Sequence, residues 1–161
     1  RRAEFCALLA WAVHAAMNDA YDLQRFVTAQ EAVYPQVVAE LRAGRKQSHW
    51  MWFIFPQISG LGFSEVSKFY AIKNLEEAKA YLQHGILGKR LREISNVLLM
   101  QDTDDATLIF DNPDDMKLHS SMTLFAIADE ENLDNVFEKV LAKFFKGKYD
   151  RRTVEILTEQ Q

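Results

Sequence analysis

One stretch limits the fold more than any other: Ser48-His49-Trp50-Met51-Trp52-Phe53-Ile54-Phe55-Pro56-Gln57-Ile58-Ser59-Gly60-Leu61-Gly62-Phe63-Ser64. It holds two of the three tryptophans and three of the eleven phenylalanines. Each large aromatic buries roughly 150–250 Å², so the segment needs an interior to pack into. Pro56 drives Phe55 out of the helical region, while Gly60 and Gly62 permit positive φ and close backbone approach. A dense anchor followed by a bend is expected, with Ser48 capping a short helix through Phe55. Alternation would also suit a strand, but no other segment has a period of two with which to pair it.

The remaining signals are helical. Asp22 is placed to cap a helix through Leu23, Phe26 and Val27, and Pro35 suits the first turn of a second helix ending near Gly44. Ser64 heads a helix over 65–72, and Asn74 with Glu77 forms a capping-box analogue for a helix that Gly85 stops. Another spans 88–100, with Leu91, Ile94, Val97 and Leu98 on one face. Asp102, Asp104 and Asp105 precede a short helix over 106–110; without the twelve-residue ligand pattern they read as caps rather than calcium ligands. Asn112-Pro113 opens a long helix in cap-then-proline order. Further helices are expected over 133–145, closed near Gly147, and after Asp150. The chain therefore reads as all-α: a single-domain, multi-helix orthogonal bundle of about eight to nine short helices over residues 17–161.

Residues 1–16 stand apart. Phe5, Leu8, Leu9, Ala12, Val13 and Ala16 share one helical face, which predicts an N-terminal helical extension packed on the body or on a second copy, a homodimer. Met17 reads as a natural start, with the preceding segment an extension not native to the domain.

A chain of 161 residues buries about 70% of its unfolded surface, enough for a full core. Its formal charge of −4 and pI near 5.6 oppose non-specific phosphate-backbone binding, so nucleic acid is not expected as the main partner. The single cysteine, Cys6, forms no internal disulfide and fits a reducing, cytoplasmic setting. His14, His49, His84 and His119 lack partners at metal-binding spacing, so no metal and no cofactor is expected. No apolar run reaches membrane-spanning length.

Several blocks together resemble a known family. They are Tyr21-Asp22-Leu23-Gln24-Arg25-Phe26, Leu41-Arg42-Ala43-Gly44-Arg45-Lys46, the block from Ser48 to Gln57, Gly60-Leu61-Gly62, Pro113-Asp114-Asp115 with Lys117-Leu118, and Ser120-Ser121-Met122-Thr123-Leu124-Phe125. On these residues the chain, from about Tyr21 to Leu157, resembles the bacterial domain-of-unknown-function family 1810. The resemblance implies a mainly α-helical single domain and no established activity. The calpastatin-like label sometimes attached to that family finds no support here, since such inhibitors are long, disordered and repetitive.

The candidate chemistry lies in two stretches, the aromatic block and the helix after Pro113. No Gly-x-Ser-x-Gly elbow, phosphate loop or dinucleotide fingerprint is present, and no catalytic residue is assigned. In one reading a small phosphorylated ligand, a nucleotide or ADP-ribose-like molecule, binds between the two stretches. Trp50 and Trp52 would supply walls, Gln57, Ser120 and Ser121 polar contacts, Gly60 and Gly62 close approach, and Lys117 with Arg45 or Lys46 the counter-charge. His49 or Asp115 would exchange protons. In the other reading the tryptophans are core, the serines satisfy themselves on helical carbonyls, and the protein is an interaction or structural module. The readings divide on whether Lys117 reaches into a hollow or pairs with an acid such as Asp114.

Overall fold

The computed structural model describes residues 19–161; the expected N-terminal helix, and the dimer it would make, lie outside them. Ten helices follow in order: α1 Gln24–Glu31, α2 Tyr34–Arg42, α3 Met51–Ile54, α4 Glu65–Phe69, α5 Leu75–Gln83, α6 Leu87–Leu99, α7 Ala106–Phe110, α8 Asp114–Ala128, α9 Val136–Phe145 and α10 Arg151–Glu159. Among the described residues the extended pairing is an isolated parallel bridge, Ile58 to Ile72. The aromatic block is thus helix and bend rather than strand.

The axis of the core is α8. Leu118, Ser121, Met122, Thr123, Leu124, Phe125 and Ala126 are all fully buried, so this helix has apolar neighbours on every side. It packs against α5, α7, α9 and α10, while α6 bridges α2, α5 and α9. Around Phe125 the rings of Tyr81 and Phe137 close at 5.2 and 5.9 Å between centroids. Phe26 meets Tyr81 edge-on at 5.2 Å, which joins α1 to the same cluster.

Several helix starts follow the expected short-range signals. Ser64 accepts from Ser67 N, Asn74 from Glu77 N, Asp105 from Thr107 N and Asp150 from Thr153 N. Others differ for identifiable reasons. Asp22 has φ 53° and does not cap α1; the Asp19 carboxylate accepts from Leu23 N and Gln24 N instead. Ser48 does not cap α3, because its hydroxyl donates to the Glu40 carboxylate at 2.7 Å, a charge-assisted bond stronger than a neutral cap. Asn112 does not cap α8; Pro113 stands at the N-cap and the Asn112 amide donates to Asp115. The ninth helix begins at Val136 rather than Leu133. Asn135 accepts from Phe137 N and Glu138 N while donating to Ala126 O and Asp129 O, which pins the turn and leaves Leu133 outside, fully exposed. Helix α4 stops short of Ile72, whose backbone is taken by the bridge to the 57–59 segment.

Candidate functional site

Ala43 N and Gly44 N close the end of α2 on Ala39 O and Leu41 O, and past them the backbone donors of the loop leading to α3 need other acceptors. Arg45 N donates to Glu40 O, and Lys46 N to Ile109 O. Gln47 N and Ser48 N both donate to Glu40 Oε1, at 2.7 and 2.9 Å. The Trp50 indole N–H reaches the same oxygen at 3.1 Å, and Gln36 holds the Ser48 hydroxyl from the other side at 2.7 Å. Burial pushes the Glu40 carboxyl up. The Gln47 backbone N–H, the Ser48 hydroxyl and N–H and the Trp50 indole outweigh it and hold the carboxyl down at about 2.

That loop delivers Lys46 to α8. Lys46 Nζ lies 2.9 Å from Asp114 Oδ2 and 5.1 Å from the centre of the Trp50 ring. The other oxygen of Asp114 receives Lys117 Nζ at 3.3 Å, and Lys117 lies over the Trp52 ring at 5.0 Å. Two ammonium groups, one carboxylate and two indole faces thus form a continuous cluster. Lys46 is nearly closed off, with 8% of its side chain exposed, whereas Lys117 retains 25%. One turn along α8 from Lys117, the Ser121 hydroxyl is fully buried with no hydrogen-bond partner.

Of the residues singled out in the sequence, Lys46, Trp50, Trp52 and Lys117 come together through Asp114. A second group, Gln57, Gly60 and Gly62, lines a crevice beside Trp52 with Ser67 and Tyr70. Its free volume is about 20 Å³, room for a water molecule and far below the roughly 300–1,000 Å³ of small-molecule pockets. Close packing explains one glycine there and backbone conformation the other. A Cβ on Gly62 would stand 2.5 Å from Ser67 Cβ, and Gly60 has φ +105°.

The others point elsewhere. Arg45 bonds to Leu108 O and Asp111. Asp115 accepts from Thr107, Asn112 and Met116 N. Ser120 faces α10, donating to Met116 O and lying 3.3 Å from Asp150 Oδ2. His49 is exposed to solvent. Sequence reasoning missed Glu40, though an acid between Val37 and Leu41 on the buried face of α2 is a readable signal. It also missed the buried pair of Arg25 with Glu77 at 2.9 Å, which ties α1 to α5 while Arg25 holds Phe69 O and Ala71 O. No spacing rule connects residues so far apart in the chain.

Among the described residues no group of three or more His, Cys, Asp or Glu is placed to hold a metal ion, and no helix is long and apolar enough to cross a membrane. The cluster's chemistry is that of a charged shelf: it offers cations and aromatic faces, with no nucleophile aligned on a base.

The comparisons with known proteins bear on the family and the fold. No curated protein is similar enough to count as a relative. A crystal structure at 1.38 Å of the conserved hypothetical protein Rv1873 from Mycobacterium tuberculosis is 53% identical, with a TM-score of 0.84 over 87% of this chain and 99% of that one. The family model described as "Protein of unknown function (DUF1810)" matches residues 20–157. With the family's model spanning nearly all the described residues and a solved relative sharing the fold, this chain belongs to the DUF1810 family.

Proposed function

We propose that the protein binds a small phosphorylated ligand bearing a planar ring, a nucleotide or ADP-ribose-like molecule, on the shelf formed by Lys46, Asp114, Lys117 and Trp52. One observation supports this above the rest: Asp114 is shared by two lysines, so one positive charge is left without a full counter-ion in a partly closed, aromatic setting. An anionic group entering beside Lys117 would complete that balance. The small volume of the Trp52 crevice means the ring lies on the open side of the shelf rather than inside it. The cytoplasm, with Cys6 as the sole cysteine, is the compartment that goes with this reading.

The test is thermal unfolding in the presence of nucleotides, ADP-ribose and sugar phosphates, since a ligand at 100 times its Kd stabilises the native state by about 2.7 kcal/mol. Lys117→Met is expected to abolish the ligand-induced rise in Tm while lowering ligand-free stability by no more than about 1 kcal/mol. A wild-type protein indifferent to every compound rejects the proposal; a full response in Lys117→Met removes Lys117 from it.

A second reading, a protein-interaction or structural module, is favoured by the pairing of Lys117 with Asp114 at 3.3 Å beside a crevice of only about 20 Å³, and by the exposure of Phe63 (87%), Val66 (45%) and Phe69 (57%) on and beside α4. Apolar side chains grouped in this way mark contact surfaces. A partner whose binding is lost in Phe69→Asp and kept in Lys117→Met would select this reading over the first.

A further inference from the structure

We infer that Glu40 is the positioning residue of the Lys46–Asp114–Lys117 shelf: its carboxylate sets the course of the 45–50 segment, so that Lys46 meets Asp114 and the Trp50 ring. This rests on the ligand reading only for its effect on affinity; the effect on Lys46 stands by itself.

The segment from Arg45 to Trp50 is irregular, and its geometry is written by its acceptors. Of the four consecutive backbone donors from Arg45 to Ser48, three go to Glu40: one to its carbonyl oxygen and two to its carboxylate. The fourth, Lys46 N, reaches Ile109 O at 2.8 Å; the bonds that the carboxylate alone supplies are those just after Lys46, from Gln47 onward. The carboxylate also fixes the far end of the run by side chains, through the Ser48 hydroxyl and the Trp50 indole. It is buried, so water cannot readily take its place, and its loss leaves those donors without their acceptor. The stem of Lys46 leaves this segment directly, and its ammonium group reaches α8 with little exposure. Long flexible side chains lose rotamer entropy on being fixed, so a lysine held in one arrangement depends on a rigid origin.

Geometry and charge predict opposite effects on an anionic ligand. Removing a nearby carboxylate should by charge alone tighten the binding of a phosphate; if Glu40 acts by placing Lys46, its removal should weaken it. Glu40→Gln keeps an oxygen for the two backbone N–H groups and the indole while removing the charge; Glu40→Ala removes both. With ADP-ribose as probe, calorimetric titration of Glu40→Ala is expected to show affinity at least tenfold weaker than wild type, and Glu40→Gln within about threefold of it. A folded Glu40→Ala protein that binds ADP-ribose as well as wild type, or better, overturns the inference, and so does a Glu40→Gln protein as impaired as Glu40→Ala. A ligand-free cycle decides the point even where wild type does not bind ADP-ribose, which would count against the ligand reading alone. In urea unfolding, Glu40→Ala and Lys46→Met should be less than additive in the double variant, with the coupling largely absent between Glu40→Gln and Lys46→Met. Full additivity would mean that Glu40 supports the fold without placing Lys46, and would overturn the assignment.

Discussion

Trp50 and Trp52 stand on the same short segment, and each has a lysine over its ring, yet one pair belongs to the interior and the other to the surface. Trp50 is 1% exposed. Its indole N–H is taken by Glu40, and Phe55 and Phe110 close on its ring at 6.2 and 6.5 Å. Trp52 is partly open, with the small crevice beside it and the more exposed of the two lysines above it. The same ammonium–indole contact therefore has two uses, and the surroundings decide between them. Where the ring's polar edge is satisfied and its faces are packed, the lysine completes the core; where the ring borders solvent, the lysine remains available to something else.

Truncation is the strongest way to break this contrast. Trp50→Ala should cost about 3–5 kcal/mol in urea unfolding, the range for large buried aromatics, and Trp52→Ala less than half as much. Equal losses would show that Trp52 is core too and take the surface away from the shelf. Acid offers a second, smaller lever. Because the Glu40 carboxyl is held at about 2 in the folded protein against an ordinary value of 4.5, its contribution is complete above the ordinary value. It is lost as pH falls from there toward about 2. Wild type and Glu40→Gln should thus differ in stability at neutral pH and converge as the solution is acidified through that window. A gap that stays constant would mean that Glu40 titrates normally. The smallest effect belongs to α8, one turn along from Lys117. Ser121→Ala removes a buried hydroxyl with no partner, so stability should rise by about 1 kcal/mol, measured as a higher urea midpoint. A fall of similar size would show that the hydroxyl is bonded in solution.

What the sequence made legible follows the range of the interactions. Ser64, Asn74, Asp105 and Asp150 cap their helices through contacts two or three residues away, a distance a local pattern can read. Ser48 and Asn112 carry the same signal and do not cap, because Glu40 and Asp115 compete for them. The all-α class was readable for the same reason: caps and periodicity agree along most of the chain. In the site, periodicity puts Lys117 and Ser121 on one side of α8, and Lys117 there lies over the Trp52 ring. It could not separate them from Ser120, whose hydroxyl belongs to the contact with Asp150 at the N-cap of α10, nor divide Arg45 from its neighbour Lys46, which diverge to Asp111 and Asp114. Those choices depend on which helix comes alongside, and that is decided by the packing of the whole chain.

The bridge between Ile58 and Ile72 has a use beyond ending α4. Ser59 N donates to Ile72 O at 2.7 Å and Ile72 N to Gln57 O at 2.8 Å, so the chain leaves the core and returns to it through one clasp. Everything between, α4 included, is an excursion whose two ends are fastened side by side. Arg25 on α1 fastens its returning end a second time, at Phe69 O and Ala71 O, so α4 and its exposed Phe69 are held at one place on the surface.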